Sequence, residues 1–180
     1  MVPAIINSDT DRKHELSEAV AKEMELLENK KILVVDDEPD ILETVVELLS
    51  SSEVITADNF DDACKLIEAG SFDLVILDIM GVNGFSLLEL CVQNKLPAAM
   101  LTAHAVNAES LNKAVELGAV SFLPKEELHR LPELVAEILE GLEQGRTHWK
   151  KLFARLETFF KERLGISWEE EKSRFPHSYY

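Results

Sequence analysis

The sequence predicts an α/β fold in which a doubly wound parallel sheet is built from five strand–helix repeats. Five short apolar runs rich in β-branched residues begin at intervals of roughly 20 residues, the spacing that a strand, a turn and a helix require. Several of these runs are continuously apolar, which is typical of strands covered on both faces, as in a parallel sheet. Helical patterns lie between them, and right-handed crossovers make a doubly wound (βα)5 arrangement the default. The runs occupy 31–36, 54–57, 73–78, 97–102 and 120–123.

Amphipathic patterns between the runs predict the intervening helices. Pro39 is suited to open the first, because proline is favoured at the first helical position. Asp58 or Asn59 is placed to cap the second. The third carries apolar positions around Leu87, and the fourth runs from about 107 to 117.

Two extensions flank this core. Residues 10–29 form one polar-rich helix with a thin apolar stripe, and Leu131 to Leu164 has a helical pattern almost throughout. We therefore expect an N-terminal helical arm (1–30), an α/β domain (31–143) and a C-terminal helical extension (144–180).

The C-terminal pattern has one apolar seam that needs a partner. Such a stripe is buried either on the body of the chain or in a two-fold helix pair, and we favour the pair, which predicts a homodimer through the C-terminal helix. The seam comprises Leu134, Val135, Ile138, Leu142, Trp149, Leu152, Phe153, Leu156, Phe159 and Phe160.

Composition excludes several classes of protein. The net charge is −16, which argues against a general nucleic-acid binder, because such a protein needs a basic face. No apolar run reaches about 18 residues, so no membrane span is expected. The N-terminus lacks a secretory pattern, and two cysteines make no disulfide framework. We expect a cytoplasmic protein with reduced thiols.

Polar residues at the ends of the apolar runs indicate a site. Ligands of a doubly wound sheet bind beyond the carboxyl ends of the strands, where the strand order reverses. In the flavodoxin-like order 2-1-3-4-5, the run that ends in Asp36 and Asp37 lies beside the run that ends in Asp78. Three crowded carboxylates repel one another unless a cation intervenes, and oxygen ligands of this kind suit Mg²⁺.

A hydroxyl and an ammonium group join the acids at this edge. The fourth run ends in Thr102, and Lys125 follows the fifth. Together these residue types suit phosphoryl transfer: a carboxylate can form an acyl phosphate, and a cation can spread the charge on the phosphoryl oxygens.

The segments KILVVDDEPDIL, DLVILDIM, MLTAHA and SFLPKEEL resemble the receiver domain of two-component response regulators over about residues 31–142. The resemblance implies that Asp78 is the phosphoacceptor, charged by a histidine kinase or a histidine phosphotransfer protein. It implies that Asp36 and Asp37 hold Mg²⁺, together with Asp78 and the backbone carbonyl of Met80.

The same resemblance assigns a signalling switch. Thr102 matches the hydroxyl that moves toward the phosphoryl group, Lys125 the lysine that contacts it, and Phe122 the aromatic that turns inward in the active state. The chain departs from the usual receiver pattern in two places. DIMGVNG is a shorter link than usual between the acceptor and the next helix, and Glu126, not proline, follows Lys125.

We expect a self-phosphorylating switch without metabolic turnover. The segment after residue 143 is too short for a further enzymatic or DNA-binding domain, so output is expected to come through an unknown partner protein. Two alternatives stay open. One is a receiver-like binding module that acts without phosphorylation. The other is an Asp-nucleophile phosphatase, although such enzymes carry Asp-x-Asp after the first strand and this chain has adjacent aspartates.

Overall fold

The computed structural model describes residues 8–103 and 108–145. The described chain alternates helices and strands from its first element to its last. The strands are β1 (Lys31–Val35), β2 (Glu53–Ala57), β3 (Leu74–Asp78), β4 (Ala98–Thr102) and β5 (Ser121–Pro124). The α-helices are α1 (Ser8–Leu27), α2 (Pro39–Leu48), α3 (Phe60–Ala69), α4 (Gly84–Gln93), α5 (Ala108–Leu117) and α6 (Leu131–Glu143), and a 3-10 helix η1 (Lys125–Arg130) precedes α6.

The five strands form one parallel sheet in the order β2-β1-β3-β4-β5, which confirms the predicted topology. Strand order reverses between β1 and β3, as the site prediction requires. At the carboxyl edge, Asp78 lies opposite Leu101 and Thr102 lies opposite Pro124. The register therefore brings the ends of β3, β4 and β5 level with one another.

Helices cover both faces of the sheet. One apolar cluster joins the sheet to α3, α4 and α5, and a second joins its other face to α2, α6 and the end of α1. All five residues of β3 are buried, because side chains that alternate between the two faces both meet a helix layer. This explains why the strands appear in the sequence as continuous apolar runs.

The starts of α2 and α3 agree with the residues predicted to begin or cap these helices. Pro39 begins α2, and the side chain of Asn59 accepts a hydrogen bond from the backbone N–H of Asp62 at 2.9 Å, which caps α3. Helix α5 begins at Ala108, directly after the undescribed residues 104–107, and ends at Leu117.

Helix α1 packs against the domain at its C-terminal end. Leu27 is 2% exposed within the second apolar cluster, whereas Val20 and Met24 of the same predicted stripe are 54% and 56% exposed. Two ion pairs join this region to α6: Lys22 to Glu140 (2.8 Å) and Lys30 to Glu143 (2.7 Å).

The C-terminal helix differs from the prediction. We predicted a helix almost unbroken from Leu131 to Leu164, but α6 ends at Glu143 and Gly145 takes a left-handed conformation with φ +63°. Residues 146–164 lie outside the described residues.

The first part of the apolar seam that we predicted for a homodimer packs inside its own chain instead. Leu134, Val135 and Ile138 are at most 8% exposed, because they pack on the sheet of the same chain. They cannot serve a contact between two copies. The homodimer prediction therefore concerns the half-buried Leu142 and the part of the seam after residue 145.

The helices and the two cysteines can be compared with the expectations drawn from composition. Among the described residues, no helix combines the length and the apolarity needed to cross a membrane. Cys64 and Cys91 are free thiols, Cys91 fully buried and Cys64 partly.

Candidate functional site

The carboxyl edge of the sheet gathers the polar residues that the sequence places at strand ends. Asp36 and Asp37 follow β1, Asp78 ends β3, and Thr102 ends β4. Lys125 comes directly after β5 as the first residue of η1. Because the strands are parallel and neighbouring, all of these residues lie at the same edge.

The Lys125 ammonium group is the centre of the cluster. Its Nζ lies 2.8 Å from Asp36 Oδ2, 2.9 Å from Asp78 Oδ1 and 2.7 Å from Glu38 Oε1. The side chains of Asp36 and Asp78 are at most 5% exposed, and that of Lys125 is 12% exposed. The structure therefore brings together three of the predicted site residues in a buried ion-pair network.

The electrostatics of the network reflect its burial. Burial alone lowers the pKa of Lys125, but its contacts with Asp36, Glu38 and Asp78 outweigh that effect and hold the pKa above its usual value. Burial raises the pKa of Asp36, and the nearby Asp78 raises it further, against the opposing influence of Lys125 and the Glu38 backbone N–H. One ammonium group thus only partly compensates two buried carboxylates.

The two oxygens of Asp78 have different surroundings. Oδ2 accepts hydrogen bonds from the backbone N–H groups of Met80 (2.8 Å) and Gly81 (2.6 Å). Oδ1 faces Lys125. The turn after β3 therefore fixes the orientation of the carboxylate and leaves Oδ1 toward the cation.

The short link after Asp78 packs very tightly, in agreement with its length in the sequence. A Cβ atom on Gly81 would overlap the Asp37 carboxylate, and one on Gly84 would overlap the backbone oxygen of Asp78. At Gly84 the obstacle is main chain, so that close approach requires glycine. The close approach at Gly81 places the Asp37 carboxylate directly against the turn that holds Asp78.

The other predicted residues lie on β4, on β5 and in the turn after β3. Thr102 is 3% exposed at the end of β4. Phe122 is fully buried, in register with Met100, on the sheet face covered by α3, α4 and α5. The Met80 side chain is 71% exposed, while its backbone belongs to the turn at Asp78.

Glu38 is a site residue that the sequence analysis missed. It is the N-cap of α2, its backbone N–H donates to Asp36 Oδ1 at 3.0 Å, and its 62% exposed side chain reaches Lys125. An acidic residue before a helix is so common that it gave no signal of its own. Its place directly after the aspartate pair was the available indication.

The residues at this edge fit a hard divalent cation. Asp36 and Asp78 are buried carboxylates that share the single Lys125 ammonium at 2.8 and 2.9 Å, and the Asp37 carboxylate lies against the turn after Asp78. A further cation would compensate the negative charge that remains. Within 8–103 and 108–145, no three His, Cys, Asp or Glu side chains already surround a common metal position. The groups present are carboxylate and backbone oxygens, which are the ligands that Mg²⁺ takes together with waters.

Comparison with known proteins agrees with the geometry. Residues 32–138 match the family model of the response regulator receiver domain. The chain is 39% identical over 105 residues to the alkaline phosphatase synthesis transcriptional regulatory protein PhoP of Bacillus subtilis, covering 54% of this chain and 42% of PhoP. It is 35% identical over 120 residues to the response regulator protein PilR of Pseudomonas aeruginosa, covering 63% of this chain and 27% of PilR.

A solved structure shows the same fold. A CheY-like response regulator receiver domain protein from Methanospirillum hungatei superimposes with a TM-score of 0.59 at 26% identity, over 64% of this chain and 98% of that one. The present chain spans less than half the length of PhoP and PilR. The family match, which covers more than half of the chain, and the shared fold lead to one conclusion: this chain belongs to the response regulator receiver domain family.

Proposed function

We propose that this chain is a phosphoacceptor switch that takes up a phosphoryl group on Asp78 and signals through contacts with other proteins. The family membership supports a role in two-component signalling. The observation that carries the proposal is the Lys125 ammonium, which lies within 3 Å of both Asp36 and Asp78 at the carboxyl edge of the sheet.

The proposed reaction is a single phosphoryl transfer. Asp78 Oδ1 attacks phosphorus of a phosphohistidine on a histidine kinase or histidine phosphotransfer protein. The new P–O bond forms as the P–N bond breaks, and the released imidazole takes up a proton. The product is an acyl phosphate on Asp78. The N–H groups of Met80 and Gly81 hold Oδ2, so Oδ1 is the oxygen oriented for the attack.

In this proposal, two further residues bind the phosphoryl group once it is on Asp78. Lys125 exchanges part of its carboxylate contacts for the phosphoryl oxygens, whose charge it partly neutralises. The Thr102 hydroxyl, at the end of the neighbouring strand, donates a hydrogen bond to a phosphoryl oxygen.

Asp36, Asp37, Asp78 and the backbone carbonyl of Met80 are the groups that would hold Mg²⁺. When bound, the ion neutralises charge on the phosphoryl oxygens. Two observations support this assignment: Asp36 and Asp78 share a single ammonium group, and Asp37 lies against Gly81 in the turn after Asp78.

The proposed output is a change in shape beside the site. Thr102 moves toward the phosphoryl group, and Phe122 follows it on the adjacent strand. The surface formed by α5, β5 and α6 then changes, and a partner protein binds it differently. The charge of −16 favours a protein partner over nucleic acid. We propose a switch of this kind without metabolic turnover.

The test is a phosphorylation assay on the full chain. Incubation with acetyl phosphate and Mg²⁺ is expected to add one phosphoryl group, detected by intact mass, and chelation of Mg²⁺ is expected to prevent it. Asp78→Asn should abolish the adduct. Asp73→Asn is the matched control, because Asp73 is an exposed aspartate that precedes β3 and so lies at the opposite, amino edge of the sheet, and this variant should be labelled normally.

Other results would support other functions. No adduct with either acetyl phosphate or beryllofluoride would indicate a binding module that acts without phosphorylation. Continuous release of phosphate from simple esters would indicate an Asp-nucleophile phosphatase. Normal labelling of the Asp78→Asn protein would refute the proposed acceptor.

A further inference from the structure

Helices α1 and α6 leave a groove on the outside of the domain, and the described residues that line it include none of the site residues Asp36, Asp78 and Lys125. Its floor is apolar and includes Val20, Leu26 and Ala136. Val20 remains 54% exposed there, although it lies on the same helix as the buried Leu27. The groove is therefore an apolar surface that the described residues only partly cover.

Acidic residues surround this floor. The groove is lined by Glu23, Glu133, Glu137 and Glu140, with Lys22 as the accompanying cation. Partial burial, together with the charge of Glu133, raises the pKa of Glu23. Glu23 and Glu133 thus repel each other, and a cationic occupant would relieve this repulsion. Glu133 also pairs with Arg130 at 3.1 Å and Glu140 with Lys22 at 2.8 Å, so among the described residues two cations accompany the four carboxylates of the groove.

The chain has a segment with the complementary properties. Residues 146–180 contain eight Lys/Arg and five Asp/Glu, a charge of +3, whereas residues 1–145 carry −19. Their apolar residues recur at helical spacing and include several aromatics. This apolar set comprises Trp149, Leu152, Phe153, Leu156, Phe159 and Phe160.

The connection also places this segment beside the groove. Helix α6 ends at Glu143, whose carboxylate pairs with Lys30 just after the end of α1. Gly145 then takes a left-handed conformation, which turns the chain out of the α6 direction. The segment therefore begins next to one end of the groove.

We propose that residues 146–164 dock in the α1–α6 groove of their own chain as a third helix. The aromatic stripe covers Val20, Leu26 and Ala136, and the basic side chains, such as those of Lys150 and Lys151, face the acidic rim. This assignment does not depend on phosphorylation of Asp78. The rival occupant is the same segment of a second copy.

Tryptophan fluorescence reports on the C-terminal region, because both tryptophans of the chain, Trp149 and Trp168, lie within residues 146–180. In a Trp168→Phe background, the emission reports Trp149 alone. We expect Trp149 to be protected from acrylamide quenching. Adding Val20→Asp should remove that protection and shift the emission to longer wavelength. Val92→Asp is the control: it changes a valine that is 45% exposed on α4, on the opposite face of the sheet, and should leave both properties unchanged.

A cross-linking measurement separates the two occupants and does not depend on a variant. Equal amounts of ¹⁵N-labelled and unlabelled full chain are mixed and treated with a carbodiimide. Links from Lys150 or Lys151 to Glu133, Glu137 or Glu140 are expected within single chains only. Links between labelled and unlabelled chains would overturn the proposal in favour of a second copy. Absence of these links together with unchanged quenching in Val20→Asp would overturn docking in the groove altogether.

Discussion

Lys125 supplies the cation that faces both buried carboxylates of the site, Asp36 and Asp78, at 2.8 and 2.9 Å. We predict that Lys125→Met lowers the free energy of unfolding by about 3 kcal/mol without divalent cations, because removing one partner leaves buried charges uncompensated. Urea unfolding measures the loss, and added Mg²⁺ should restore part of it. Lys65→Met is the control, since Lys65 pairs with exposed Asp62 and its loss should cost at most about 1 kcal/mol. Equal effects of the two substitutions would show that the buried network has no special electrostatic role.

Gly81 and Gly84 allow a second prediction, because their tight contacts are of different kinds. A Cβ on Gly84 meets the backbone oxygen of Asp78, so Gly84→Ala must move the main chain and should cost roughly 1–3 kcal/mol of stability. The three atoms nearest to a Cβ on Gly81 all belong to the exposed Asp37 carboxylate, which can rotate away. Gly81→Ala should therefore keep nearly normal stability but weaken Mg²⁺-dependent labelling. Urea unfolding and the labelling assay on both variants check this, and an equally stable Gly84→Ala protein would contradict the structure of the link.

At the scale of elements, helix α1 has buried positions that pack in the core and exposed positions that face away from it. Leu27 is 2% exposed and packs in the cluster that joins α2 and α6, whereas Met24 on the previous turn is 56% exposed. We predict that Leu27→Ala lowers the free energy of unfolding by about 3 kcal/mol. Met24→Ala should stay within about 0.5 kcal/mol of the original chain. Similar values for the two variants would mean that α1 does not contribute to the core.

The sequence predicted the strands well because burial on both faces leaves a simple signal. The run from Leu74 to Asp78 is apolar until its last residue, and that residue is the one which reaches the site. Parallel pairing then dictates that Asp36, Asp78 and Lys125 meet at one edge. The site could be located from the sequence for this reason.

Features that depend on tertiary contacts could not be predicted in the same way. The helical pattern of the sequence continues beyond Glu143, although α6 ends there. A glycine such as Gly145 can either weaken a helix that continues or end it in a left-handed turn, and the local sequence does not distinguish the two. The 3-10 helix η1, which begins at Lys125, likewise could not be predicted, because so short a helix leaves no periodic pattern in the sequence. Glu38 was missed because its role comes from Lys125, which is 87 residues away in the chain.

At the scale of the whole molecule, an acidic domain with a single family assignment carries a basic C-terminal segment. The family match ends at residue 138, just before the end of α6, and the charge changes sign after Gly145. The proposed switch and the proposed docking of residues 146–164 involve different parts of the molecule. Each can therefore fail without the other.

The most direct test of the central claim is to locate the phosphoryl group in the chain. After incubation with acetyl phosphate and Mg²⁺, borohydride reduction converts an aspartyl phosphate to homoserine, and peptide mass spectrometry identifies the position. The account predicts homoserine at residue 78, present only when Mg²⁺ is supplied. Modification at another aspartate, or an unmodified Asp78 in a chain that has taken up phosphate, would contradict it.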